Sequence, residues 1–137
     1  MPNEVIKRIG VDTYKGEAYA YSSTMLGPDN EQFGQACVSQ VTGTAAWMDI
    51  AATQYLLGVR PTVKGLVLDP SIPAAWKGFS VSRVYRGCEL NIQVVNPNGV
   101  QHGVRSVMLD GAVLNDNILT PELLQGKEKA VVEVVLG

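Results

Sequence analysis

Histidine and cysteine are nearly absent: the 137 residues contain one histidine, His102, and two cysteines, Cys37 and Cys88, with no CxxC spacing. That inventory argues against a zinc site and against a Cys/His or Ser/His catalytic pair within the chain. There is no basic surplus, since 11 Lys+Arg stand against 13 Asp+Glu, a net charge of −2. A nucleic-acid partner is therefore not expected. No apolar run approaches the ~20 residues of a membrane span. The longest, near the C-terminus, is broken by Glu133, so no membrane association is expected either. Met1-Pro2-Asn3-Glu4 has no charged-then-apolar leader shape, and a cytoplasmic location is the expectation.

The length fits one ordinary domain or one and a half small ones, with 46% hydrophobic residues to build a core. Composition shifts along the chain. Residues 1–65 mix aromatic, small and polar residues, whereas 66–137 are rich in Val, Leu and Ile with regular Gly, Pro, Asn or Asp interruptions. The run Arg60-Pro61-Thr62-Val63-Lys64-Gly65 reads as the boundary. The best helix spans 43–57, with Thr42 or Thr44 as N-cap, Gly58 placed as a left-handed stop and Pro61 beyond it. Its surface is apolar nearly all round, with only Asp49, Thr53 and Gln54 forming a polar stripe. Such a helix belongs inside a large helical body, yet the chain offers no second strong helix to wrap it. Residues 1–9 read as the tail of another helix, abrupt enough to suggest an element of a longer chain. Residues 17–26 read as extended or irregular, and Gly27-Pro28-Asp29-Asn30 as a turn. After Gly65 the period is two: Leu90, Ile92 and Val94 alternate with Glu89, Asn91 and Gln93, and Arg86-Gly87, Asn96-Pro97-Asn98-Gly99 and Asp110-Gly111 supply turns. About five short strands result, predicting an antiparallel β-sandwich or half-barrel.

The sharpest local feature is Thr42-Gly43-Thr44 at the mouth of the 43–57 helix. The first N–H groups of a helix lack internal partners and carry partial positive charge, glycine admits an oxyanion, and the hydroxyls donate further bonds. The same residues also suit a plain capping turn, and spacing alone leaves both readings open. Asp12, Glu17, Asp29, Glu31 and Asp49 offer carboxylates, none of them privileged for acid–base work. His102, between Gln101 and Gly103, reads as an exposed turn residue. Tyr14, Tyr19, Tyr21, Trp47 and Trp76 are candidates for stacking on sugars, although Trp76 in its Pro-rich setting reads as sealing a domain junction.

Five motifs in order carry a family likeness: Thr42-Gly43-Thr44-Ala45-Ala46-Trp47, Leu57-Gly58-Val59-Arg60-Pro61-Thr62, Gly65-Leu66-Val67-Leu68-Asp69-Pro70, Ile72-Pro73-Ala74-Ala75-Trp76-Lys77-Gly78-Phe79 and Tyr85-Arg86-Gly87. Together they resemble the C-terminal part of the cellobiose phosphorylases of glycoside hydrolase family 94, whose relatives include chitobiose and cellobionic acid phosphorylases and cyclic β-1,2-glucan synthases. The likeness covers essentially the whole chain. It also takes in Gly16-Glu17-Ala18-Tyr19-Ala20-Tyr21, where relatives tend to have proline in place of Ala18.

The resemblance implies an α+β chain: residues 1–65 as the C-terminal end of an (α/α)6 catalytic barrel, and 66–137 as a C-terminal antiparallel β-sandwich. It implies a piece of an inverting phosphorylase that uses inorganic phosphate as co-substrate, with no other cofactor, to cleave a cellobiose-type disaccharide. Phosphate would contact Thr42 and Gly43, with Thr44 completing the turn. The family's catalytic aspartate, phosphate-binding arginine and histidine lie upstream of Met1 by motif order. The chain alone would then be inactive, and its natural partner would be the N-terminal remainder of the barrel. Many relatives carry a sugar-contacting glutamine where Ser23 stands, so sugar recognition there is not carried over. The unwrapped helix further predicts a homo-oligomer. The alternative is a non-catalytic carbohydrate-binding or structural β-module.

Overall fold

The computed structural model describes residues 4–17, 20–39 and 43–137, and the chain divides into two compact units, Met1–Asp49 and Ile50–Gly137. In the first unit, helix α1 (Glu4–Ile9) is followed by the single turn α2 (Val11–Tyr14), with Gly10 at φ 83° between them. Strands β1 (Ser22–Met25) and β2 (Ala36–Ser39) form an antiparallel hairpin in which Thr24 faces Cys37 and Met25 faces Ala36. The predicted turn at 27–30 lies in its loop, where the Asn30 N–H donates to the Gly27 carbonyl. Burial here is sparse. Tyr14 and Gly34 are the only buried residues among those described in this unit. A Cβ built on Gly16 would sit 2.7 Å from the Tyr14 ring and 2.8 Å from the Ala36 Cβ, so the glycine admits the ring to its place.

Helix α3 runs from Thr44 to Ile50, and residues Ala51–Leu56 continue it as a π-helical turn that the Leu57 N–H closes onto the Ala52 carbonyl. The predicted helix at 43–57 is therefore present in extent, but its second half is wound one residue wider. Gly58, at φ 68°, ends it as expected.

The second unit contains its own core. Strands β3 (Val59–Pro61), β4 (Leu66–Leu68) and β9 (Ile118–Leu119) make a small antiparallel sheet. The punctuated segment 61–65 is the turn joining β3 to β4, where Thr62 donates both its N–H and its hydroxyl to the Gly65 carbonyl. A larger sheet holds β5 (Gly78–Tyr85), β6 (Cys88–Val95), β10 (Lys129–Leu136), β7 (Val104–Leu109) and β8 (Ala112–Val113), in that order. Arg86-Gly87 and Asp110-Gly111 make two-residue hairpin turns, with positive φ at both positions. Positive φ at both positions is what a type I′ turn demands.

One expectation is corrected here: the sheet is mixed. β10 pairs antiparallel with β7 but parallel with β6, Ala130 facing Leu90 and Val134 facing Val94. Turn and alternation signals detect hairpins, whereas a parallel neighbour arrives from a distant part of the chain and leaves no local signature.

Alternation decides which side is buried. Leu90, Ile92, Val94, Val132, Val134 and Leu136 point inward and meet Leu66, Leu68 and Leu119 from the small sheet, giving a β-sandwich-like body. Seventeen buried side chains form this cluster, against a single buried tyrosine described in the first unit. Hydrophobic burial at roughly 25 cal/mol per Å² therefore holds the second unit together from its own sequence. Among its described residues the first has little of its own to hold it.

Candidate functional site

Thr42 lies outside the described residues. Gly43 is an exposed turn residue whose carbonyl accepts the Trp47 N–H at 3.4 Å, which starts α3. A Cβ built on Gly43 meets no described atom within 4 Å, so space is open beside the backbone there. Thr44 is the first residue of α3 and is half-buried. Farther back, Ser23 donates its hydroxyl to the Cys37 carbonyl at 3.2 Å, so this side chain braces the β1–β2 hairpin. Trp47, the aromatic ring that follows the turn, is 72% exposed.

A second group of polar side chains comes together inside the second unit. The π-helical turn, β3, the stretch after β4 and the loop before β7 enclose an open cleft of about 630 Å3. Gln54, Tyr55, Arg60, Asp69, Ser71 and His102 line it. Backbone bonds lock its walls: the Asp69 N–H donates to the Gly58 carbonyl at 2.8 Å and the Ser71 N–H to the Leu56 carbonyl at 2.9 Å. The Ile72 N–H donates to the Gln101 carbonyl at 2.8 Å and fixes the loop that carries His102. Gly58 makes this closeness possible, because a Cβ there would lie 2.1 Å from the Asp69 carbonyl carbon. The Arg60 guanidinium stands over the Tyr55 ring, 5.4 Å from its centroid, close enough for cation–π attraction. Beyond that ring contact, none of the six side chains makes a hydrogen bond or ion pair with a described residue.

Sequence reading placed His102 correctly as an exposed loop residue but did not join it to this cleft. Arg60 and Asp69 stood out only as parts of motifs. The signal that gathers them is the pairing of β3 with β4, which sets Arg60 opposite Val67, two residues before Asp69.

Ionisation elsewhere follows structural contacts. The Asp110 carboxylate accepts from Lys127 Nζ at 2.6 Å and from the Val131 N–H at 2.8 Å, and the lysine bond first, then the backbone bond, hold its pKa below the ordinary aspartate value. Burial, followed by the neighbouring Asp110 charge, pushes the Cys88 thiol up, away from the reactive thiolate form. Among the described residues no helix is long and apolar enough to cross a membrane.

Comparison with known proteins relates the chain to the disaccharide phosphorylases. Residues 59–106 match the glycosyl hydrolase family 65 C-terminal domain. The chain is 43% identical over 121 residues, 88% of its length, to the N,N′-diacetylchitobiose phosphorylase of Vibrio proteolyticus. It is 39% identical over 127 residues, 93% of its length, to the enzyme of the same name from Vibrio furnissii. The solabiose phosphorylase of Paenibacillus borealis is 39% identical over 95 residues, 69% of the chain and 12% of that relative. The chain spans about 15% of the length of each Vibrio relative.

Proposed function

We propose that this chain is the C-terminal part of an inverting phosphorylase of the family 94 type, acting on a β-linked disaccharide of the cellobiose or chitobiose kind. In this reading residues 1–65 complete an (α/α)6 barrel whose remainder comes from elsewhere, and 66–137 form the attached β-domain. The carrying observation is the 43% identity to a chitobiose phosphorylase across 88% of the chain. Sparse burial in the first unit and the exposure of Trp47 and Phe33, 72% and 56%, support it, because a barrel segment without its neighbours presents such faces.

Within the enzyme, Thr42, Gly43 and Thr44 contribute hydroxyls and helix-mouth N–H groups to inorganic phosphate, which attacks the anomeric carbon while an aspartic acid elsewhere in the barrel protonates the leaving oxygen. No residue of this chain is assigned that acid role. General acid catalysis contributes ~10²–10⁴-fold and orientation by the barrel adds to it. The chain by itself is accordingly expected to release no glucose 1-phosphate from cellobiose, nor the corresponding sugar phosphate from chitobiose. Release above blank by a homogeneous preparation overturns this reading.

The phosphate contact has its own test. Titration with phosphate, followed by amide chemical shifts, is expected to move residues 42–46 with millimolar affinity. Charge-assisted bonds to the anion are offset by its desolvation. Thr42→Ala weakens the response and removes no more than a cap, ~0.5–2 kcal/mol of stability. Gly43→Val blocks the approach sterically and leaves the second unit folded. If the amides of 42–46 stay still while others move, these residues are a capping turn.

The second reading, a non-catalytic carbohydrate-binding or structural β-module, is favoured by the self-contained core of residues 50–137. Discovery of an upstream segment that restores phosphorolysis when co-expressed decides for the first reading.

A further inference from the structure

We propose that the cleft formed by the π-helical turn and the 69–71 and 101–103 segments is a saccharide-binding site. The inference concerns different residues from the phosphate turn and holds under either reading of the chain's function.

The cleft holds hydrogen-bonding capacity that no described neighbour takes up. Arg60 only donates and Asp69 only accepts, while Gln54, Ser71 and His102 can do both. All five converge on one cleft and none is satisfied by a described neighbour. Arg60 and Asp69 both line the cleft without forming an ion pair. A simple anion offers acceptors to Arg60 but is repelled by Asp69, and a simple cation meets the reverse. A neighbouring pair of sugar hydroxyls offers both in one neutral molecule, since each hydroxyl donates and accepts.

The aromatic ring points the same way. Tyr55 is 57% exposed and Arg60 covers one face of it. The guanidinium steadies the ring while the rest of its apolar surface is left for the C–H face of a pyranose, with the phenol hydroxyl free at its edge. A volume of about 630 Å3 lies within the ~300–1,000 Å3 of small-molecule sites. The frame is preorganised, because the backbone bonds from Asp69, Ser71 and Ile72 fix three of the walls.

The test uses the 137-residue chain, labelled for amide shifts and titrated separately with cellobiose, N,N′-diacetylchitobiose, inorganic phosphate and glycine. Saturable shifts at 54–60, 69–71 and 101–103 with a disaccharide are expected. Tyr55→Ala, Arg60→Met and Asp69→Asn should each raise the dissociation constant about tenfold. Each variant counts only if the amides of β6 and β10 keep their dispersion, and Asp69→Asn, which preserves shape, guards against loss of fold. No cleft shifts with either sugar overturns the proposal, and so do shifts with phosphate or glycine alone. Unchanged affinity in all three folded variants overturns it as well. The amides of 42–46 report the phosphate turn separately, so the two assignments fail independently.

Discussion

Asn96 carries its side chain into the interior, where no surface of it reaches solvent. Its amide donates to the carbonyls of Trp76, at 3.1 Å, and Val100, at 2.8 Å, and its oxygen accepts the Val100 N–H at 2.9 Å. One side chain thus closes the 96–100 turn and pins the 73–77 loop beside it. Asn96→Ala is expected to destabilise the second unit by about 2–3 kcal/mol, because buried backbone groups lose their partners; the midpoint of urea unfolding checks this. Gly58→Ala is expected to cost about 3 kcal/mol or more, since left-handed φ and collision with the Asp69–Pro70 peptide act together. The same variant should also distort the cleft walls. The sequence marked Asn96 as part of a turn and Gly58 as a helix stop. It did not show that one is a buried anchor and the other a point of close approach, because both properties depend on segments distant in the chain.

At the scale of elements, strand β6 was legible from its alternation at 89–94, and the two tight turns at 86–87 and 110–111 from residue type. Strands β3, β4, β8 and β9, two or three residues each, are too short to display a period. The π-helical turn was equally hidden, since its apolar spacing reads as an ordinary helix. The β7–β8 turn carries a testable electrostatic contact. Because the folded Asp110 pKa is lowered, first by Lys127 and then by the Val131 N–H, its contribution is fully present above the unfolded aspartate pKa. It is lost as pH falls through the lower folded value. The pair is more than a third exposed, so the gain is below about 1 kcal/mol. Asp110→Asn should remove this part of the acid dependence, which pH-resolved urea titrations of both proteins would detect.

For the whole molecule, the imbalance between units governs behaviour. Residues 50–137 have a core, while the first unit exposes Val11, Phe33 and Trp47 and described burial there rests on Tyr14. Apolar surface of this kind recruits partners. The chain alone is expected to form a dimer or higher oligomer through residues 1–49, and a strictly monomeric species at high concentration by light scattering would contradict it. Trp47→Glu should shift that equilibrium toward monomer and leave the melting of the second unit unchanged. The candidate phosphate turn was visible from the sequence as a hydroxyl–glycine–hydroxyl run. The cleft was not, because Tyr55, Arg60, Asp69 and His102 belong to four different segments that only the folded sheets bring together.

The parallel pairing of β10 with β6 also sets an order of assembly. β10 occupies the middle of the large sheet, between β6 and β7, yet it is the last strand in the chain. During synthesis the β5–β6 and β7–β8 hairpins emerge as separate pieces, each with an apolar face open to water. Residues 129–136 then insert between them and pair with the β6 and β7 edges at once. Local hairpins form in microseconds, whereas joining strands this far apart in sequence must first overcome loop-closure entropy. The nascent chain therefore carries two exposed sheet edges until its final strand arrives, and that interval is when it is most open to mispairing with a neighbour.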